Sequence, residues 1–352
     1  MNLHVEKIEP INDDRWDKFV MQHPLGTIYH HSAWQNIIQH TYGYEPFYFA
    51  CTDENARIHA AIPFFYIGSW LTGRRFVSLP FSHFCDPLIS SQSEFEQIFH
   101  ALQKEAIHKR FSFFELRILN LESNYLSDFK SQKLFKIHIL KLNQDPEALR
   151  KSFHKNHIQR SIRKAEKSDL CLRKADDILD LKIFYKLQLR TRKKHGVPPQ
   201  PFSFFINLWK ILYPEKRMDL YLVEHQGKTI AGMILLKFKN RVCYQYGASD
   251  ENYLYLRPNH LLMWNAIQNA CKEGFEYFDF GKSSIENEGL IEFKRRWGAE
   301  EFDITHFYYP AINGLQTLSR NSFKYKITNL FWGNAPPSIT ELGGNLLYKH
   351  LG

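Results

Sequence analysis

Residues 219–249 read DLYLVEHQGKTIAGMILLKFKNRVCYQYGAS, and this stretch decides the fold. Three apolar runs, 219–224, 229–238 and 242–248, are separated by polar turns at Gln226-Gly227 and near Asn240. That spacing predicts an antiparallel meander. Downstream, 259–272 reads as a helix leading through Gly274 into a strand at 275–280, and a short helix at 290–297 and a strand at 304–309 finish the unit. Upstream, helices fit 176–194 and 202–212. The run Gly196-Val197-Pro198-Pro199-Gln200-Pro201 between them cannot continue a helix. Asp145-Pro146 supplies an N-cap with Pro at the first helical position. It opens a strongly basic helix expected to run to about residue 167.

The first half repeats a shorter version of this order. Strands fit 44–50, 57–67, 113–119 and 136–142. A helix at 93–109 places Phe95, Ile98, Phe99, Leu102 and Ala106 on one face. Strands and helices alternate throughout, so the fold class is mixed α/β (α+β) layers, not a bundle or a sandwich. A length of 352 residues fits two domains. The boundary is drawn near 143, giving 1–143, 144–310 and a tail, 311–352, expected to pack back on the body. No residue-level repeat relates the halves.

Composition bounds the function. Hydrophobic residues make up 44% and charged residues 24%, which excludes a disordered or low-complexity chain. The net charge of +9 favours a polyanionic partner such as RNA, a nucleotide or an anionic membrane surface. The first nineteen residues carry charge throughout and read as no signal peptide. The richest apolar run, 60–68, is far short of the roughly 18 residues of a spanning helix. Five cysteines without a CxxC pair point to a reducing compartment, without disulfides or structural zinc. A cytoplasmic protein is expected.

Several motifs are set aside. Gly281-Lys282-Ser283 resembles the end of a phosphate loop, but Glu276 stands where its first glycine belongs. Asp279-Phe280-Gly281 mimics a kinase metal motif without the companion segments. Ser161 and Lys164 have nucleophile spacing inside a basic helix, which reads as a solvated face. His154 and His157 share a helix face among cations, a poor metal site. No metal is expected.

The most specific signal runs from Tyr244-Gln245-Tyr246-Gly247-Ala248-Ser249 through Leu256-Arg257-Pro258-Asn259-His260 and Phe278-Asp279-Phe280-Gly281. It ends with Leu290-Ile291-Glu292-Phe293-Lys294-Arg295-Arg296-Trp297-Gly298. Together these segments resemble the acyltransferase domain of the Fem-type (FemABX) peptidyltransferases, and more closely still the FemAB-like, BioF2-like acetyltransferases. Looser agreement extends to His31-Ser32-Ala33-Trp34, to the stretch from Leu79 to Pro87, to the basic helix and to Thr191–Gly196. The resemblance implies two tandem GNAT-like domains, each a mixed sheet flanked by helices. It also implies transfer from aminoacyl-tRNA to an amine of a cell-wall precursor.

By that resemblance Lys294 matches the family's catalytic lysine, and Asp86 matches an acidic residue suspected of accepting the amine proton. Arg192 and Lys194 match a segment that helps bind the precursor diphosphate, and Trp34, in the first-domain motif, is a further substrate-binding candidate. The residues themselves bear on the same roles. Attack of an amine on an ester or thioester needs a cation or donor where the oxyanion develops, which suits a lysine near a strand end. Tyr244, Tyr246 and Ser249 are candidates to line a groove there, with Arg257 and Asn259 at the start of the next helix. The turn before that helix has no glycine, and Pro258 removes one backbone donor, which disfavours ordinary CoA binding.

Basic runs at 150–167 and 186–194 favour a phosphate-rich substrate. Two departures from the family weaken the case for a muropeptide: Gln35-Asn36-Ile37-Ile38 follows Trp34, and no coiled-coil arm interrupts 213–217. The expected activity is therefore a Fem-like acyl or aminoacyl transfer to an amine of a peptidoglycan or exopolysaccharide precursor. No resident cofactor is expected, aminoacyl-tRNA or acyl-CoA serving as co-substrate. The alternatives are an acyl-CoA-dependent N-acetyltransferase and a non-catalytic RNA-binding module. Partners exclude DNA and leave peripheral membrane contact open.

Overall fold

The computed structural model describes residues 3–121, 123–310, 343–344, 346–350 and 352. These fall into two compact units. The first takes in 3–135, 303–310 and the described residues of 349–352, and the second 136–302 with the described residues of 343–348.

In the first unit β1 (His4–Ile8) is followed by α1 (Asp14–Gln22), α2 (Ser32–Tyr42), β2 (Glu45–Thr52), β3 (Ile58–Ser69), β4 (Gly73–Val77), α3 (Gln92–Ala106) and β5 (Phe113–Ile118). Neighbouring strands β1 to β4 pair antiparallel, and β4 pairs parallel with β5. A parallel pair needs a crossover, and α3 supplies it. Ser91 and Glu94 close a capping box at the start of α3. Phe95, Ile98, Phe99, Leu102 and Ala106 are its buried residues, the face read from the sequence. Full burial of each large side chain contributes roughly 1.5–3 kcal/mol.

In the second unit β6 (Lys130–Lys141) is followed by α4 (Pro146–Ser152), α5 (Arg160–Lys167), β7 (Cys171–Lys174), α6 (Ile178–Lys194) and α7 (Phe202–Leu212). Next come the meander β8 (Met218–His225), β9 (Lys228–Phe238) and β10 (Arg241–Ser249), then α8 (Pro258–Lys272), β11 (Tyr277–Ser284) and α9 (Glu288–Arg295). Strands β7 to β10 are antiparallel neighbours, and β10 pairs parallel with β11 across the α8 crossover. The first unit, and the second from β7 to β11, therefore share the order β-α-α-β-β-β-α-β. This is the tandem architecture implied by the sequence, repeated in topology and not in residues.

Three expectations need correction. The last strand, β12 (Glu300–Tyr309), pairs antiparallel with β5 from Thr305↔Ile118 to Tyr309↔Phe114, so 303–309 join the first unit. The division at 135/136 likewise precedes the expected boundary at 143. The basic helix expected over 145–167 is three pieces: α4, a π-turn at Lys155–Gln159, and α5. Phe153 leaves helical geometry at ψ 152° and inserts its ring edge-on against Trp264 and Trp297. The His154 N–H then donates to the Arg296 carbonyl at 2.9 Å. Most of the 311–352 tail lies outside the described residues. At its end, the Lys349 and His350 carbonyls accept from the Tyr44 and Thr72 hydroxyls at 2.5 and 2.7 Å.

Because Phe153 is wholly enclosed by the second-unit core, Phe153→Ala is expected to lower unfolding free energy by about 3–5 kcal/mol. Urea titration against wild type measures the loss.

Candidate active site

The parallel ladder between β10 and β11 ends at Cys243↔Asp279. Both strands continue past it, and a cavity of about 410 Å³ lies there, lined by Tyr244, Gly247, Ala248 and Ser249 from β10 and Phe280 from β11. The start of α8 and the face of α9 complete it with Arg257, Asn259, His260, Phe293 and Lys294. A register shift between Tyr244 and Tyr246 places a bulge in β10 at the cavity wall.

Lys294 projects from the last turn of α9 and is 3% exposed. Its Nζ donates to the Gly281 carbonyl at 2.6 Å. Burial lowers its pKa to about 8, against the opposing pull of the Asp279 charge. Gly281 has φ +73°, a left-handed conformation natural to glycine. The same residue donates its N–H to Asp279 Oδ1 at 2.7 Å. One residue thus links Asp279 to Lys294. Burial raises the Asp279 carboxyl, with Arg241 Nη1 at 3.8 Å pulling the other way. The Asp279-Phe280-Gly281 run, set aside as a chance mimic, is the support that positions the lysine.

The structure brings five of the expected residues to this cavity: Lys294, Tyr244, Ser249, Arg257 and Asn259. Asn259 Nδ2 donates to Ser249 Oγ at 3.3 Å, and the Ser249 N–H donates to Thr191 Oγ1 at 3.4 Å. The Tyr244 hydroxyl lies where a Cβ on Gly247 would stand, so the glycine makes room for the ring. Arg257 is left-handed at φ +63° and precedes Pro258 at the first position of α8. The His260 and Leu261 N–H groups both donate to the Arg257 carbonyl, at 3.0 and 3.3 Å. Little backbone donor capacity is left at this helix end.

Other expected residues sit elsewhere. Tyr246 is corrected from a groove residue to a packing residue, its ring edge-on to Phe204 and Phe205 of α7. The bulge between Tyr244 and Tyr246 lets the second ring face α7 while the first lines the cavity. Arg192 donates to the Pro198 carbonyl at 3.3 and 3.2 Å and closes the proline-rich loop. Lys194 pairs with Glu251 at 2.8 Å and lines a separate cleft with Arg190, Lys193 and Lys228. In the first unit Trp34 is corrected to a core residue, fully buried, with Nε1 donating to the Pro80 carbonyl at 3.2 Å.

Asp86 is also fully buried there, and its oxygens accept from Leu119 N at 2.7 Å, Asn120 N at 3.0 Å and Asn120 Nδ2 at 2.8 Å. Burial raises its pKa, as a base requires, while those bonds make it an anchor for the 119–120 turn. A base role needs one of them to open.

Sequence reasoning missed His260 and Thr191 as cavity residues. Burial and the nearby Arg257 charge push His260 down to about 4, so it presents a neutral imidazole. It stacks toward Trp297 and meets Phe293 edge-on. The only signal was its place after Asn259, at the start of an amphipathic helix.

Residues 152–295 match the family model described as an acetyltransferase (GNAT) domain. That match lies within the second unit. Among curated proteins, this chain is 33% identical over 86 residues to the lipid II:glycine glycyltransferase of Staphylococcus epidermidis, covering 23% of this chain and 21% of that protein. It is 24% identical over 117 residues to the UDP-N-acetylmuramoylpentapeptide-lysine N(6)-alanyltransferase of Weissella viridescens, covering 33% and 34%. The aligned part thus spans a fifth to a third of these relatives' lengths.

The crystal structure of FemX superposes with a TM-score of 0.71 at 16% identity, over 86% of this chain and 97% of FemX. A tandem GNAT protein from clavulanic acid biosynthesis gives 0.58 at 8% identity, over 87% and 98%. These likenesses bear out the Fem-type resemblance and the tandem GNAT fold. No helix among the described residues is long and apolar enough to cross a membrane.

The second unit's buried lysine has a stability signature. Its folded value of about 8 lies below the ordinary 10.5, so the unfolded chain binds more protons between those values. Stability contributed by this group rises as pH climbs from about 8 to about 10.5. Relative to Lys294→Met, wild type is expected to gain about 3 kcal/mol over that window, read from urea midpoints at each pH.

Proposed function

We propose that this chain is a cytoplasmic Fem-like aminoacyltransferase, moving an aminoacyl group from a nucleotide-borne ester to an amine of a peptidoglycan or other cell-envelope precursor. The observation that carries the reading is the buried Lys294 ammonium at the wall of the 410 Å³ cavity, oriented by Gly281. The named relatives, a glycyltransferase and an alanyltransferase, support the acceptor class.

In the reaction a neutral amine attacks the ester carbonyl, and a C–N bond forms as the carbonyl oxygen takes negative charge. An ammonium has three N–H donors, and Gly281 engages one. In this reading another N–H of Lys294 donates to the oxyanion inside a low-dielectric site. Collapse of the intermediate breaks the C–O bond, and the alkoxide leaving group takes up the proton that the amine gives up. Asp86 is the group proposed to relay that proton from the amine to the alkoxide, with one of its bonds to the 119–120 turn released. Tyr244, Ser249, Asn259 and Arg257 orient the substrates, and Arg192 and Lys194 extend the positive surface. The donor enters as a co-substrate, with no resident cofactor.

An acyl-CoA-dependent N-acetyltransferase on the same fold is the second reading. The occupied N–H groups at the start of α8 weigh against a backbone grip on its diphosphate. A purely RNA-binding role leaves the desolvated lysine without a purpose.

Transfer from charged tRNA to a lysine-containing muropeptide tests the proposal. Lys294→Met is expected to lower turnover by about 10²–10³-fold with unchanged circular dichroism; near-wild-type turnover overturns the assignment. Since the oxyanion needs the charged form, the wild-type rate is expected to fall as pH rises through about 8. Lys294→Arg, which stays charged, loses rate but shows no such alkaline fall.

A further inference from the structure

A second cavity, of about 380 Å³, adjoins the first and shares Arg257, His260 and Phe293 with it. Its far wall is the π-turn and the start of α5, where Arg160 and Lys164 line it, and Arg296 lines it from the end of α9. In the π-turn the Gln159 N–H donates to the His154 carbonyl and the Arg160 N–H to the Lys155 carbonyl, each five residues back. Such widened turns recur at functional sites. Ile162 and Ala165 of α5 are buried, whereas Arg160 and Lys164, four residues apart on one face, are exposed.

Charge at this cavity is unbalanced. Arg296 pairs with Glu292 at 2.9 Å. Among the described residues, Arg160, Lys164 and Arg257 have no carboxylate within 4 Å, and two like charges at i,i+4 oppose each other on the helix. An anion reaching between them relieves that repulsion and accepts charge-assisted hydrogen bonds from guanidinium and ammonium groups. The start of α8 offers little in its place: Pro258 has no N–H, those at 260 and 261 are engaged by the Arg257 carbonyl, and the Asn259 N–H is what is left.

We propose that this cavity binds the phosphate groups of the acyl donor through the side chains of Arg160, Lys164, Arg257 and Arg296, with the acyl ester passing into the adjoining cavity at Lys294. The proposal rests on the transfer reading for the identity of the ligand as a donor. The shared chemistry is a phosphate ester borne by a nucleotide, supplied either by an RNA 3′ end or by a CoA diphosphate.

The test is binding, which needs no turnover. An RNA hairpin with a single-stranded CCA end is titrated by fluorescence anisotropy, and CoA by calorimetry. The variants are Arg160→Ala/Lys164→Ala and, as a control of equal charge on the same helix, Arg163→Ala/Lys167→Ala. The first is expected to lose at least tenfold affinity for one of the two probes, the control less than threefold. If RNA is the ligand, the slope of log affinity against log salt drops by about 1.4, for two lost contacts to a single strand. The probe that responds identifies the source of the phosphate. Equal losses in both variants, or wild type binding neither probe, overturn the proposal. Lys294→Met binds the responsive probe normally, so failure of the transfer reading shows in turnover alone.

Discussion

A lysine ammonium with 3% exposure is the constraint on which the second unit is organised. Taking such a group out of water is costly, and the interior repays the cost only where polar partners are fixed in place. Here the partners come from a single strand end. Asp279 holds the Gly281 N–H, and the carbonyl of Gly281 accepts from Lys294. That chain requires a left-handed residue at 281 and a strand that continues beyond its ladder with β10. Trp297, three residues beyond the lysine, packs with Phe153, Phe280 and Phe293 and anchors the end of α9. The cation is held because both ends of its support are part of the core.

The same core explains the shape of the basic segment. The run's Arg, Lys, Glu, Leu and Ala favour helix on either side of the weaker formers Ser152, Phe153, His154, Asn156 and His157. Continuous helix over 145–167 would nevertheless leave Phe153 without the aromatic pocket made by Trp264 and Trp297. The chain breaks, the phenylalanine enters the core, and the helix restarts through a π-turn. The break sets the direction in which Arg160 and Lys164 emerge, so an aromatic packing event determines where positive charge is presented.

Much of this was legible because it is local. The α3 stripe of Phe95, Ile98, Phe99 and Leu102, the α7 limits set after Pro201, and the meander turns at Gly227 and Lys239-Asn240 each follow from near neighbours in sequence. Lys294 could be singled out only through a family resemblance, since 46 basic residues make any one of them unremarkable by composition. What could not be read depends on distant partners. The return of β12 to β5, the burial of Trp34 under Pro80, and the engagement of Asp86 by the 119–120 turn are tertiary facts. Tyr246 was misplaced for a subtler reason: the bulge between Tyr244 and Tyr246 upsets a simple reading of the alternation along β10.

Gly247 has a consequence for the shape of the chamber. The phenol of Tyr244 occupies the space that any side chain at 247 would claim. A missing methyl therefore sets how far the aromatic ring withdraws from the chamber. Exchange of one backbone hydrogen for carbon at 247 would displace the ring and reshape the wall of the chamber, with Lys294 and its supports left as they are.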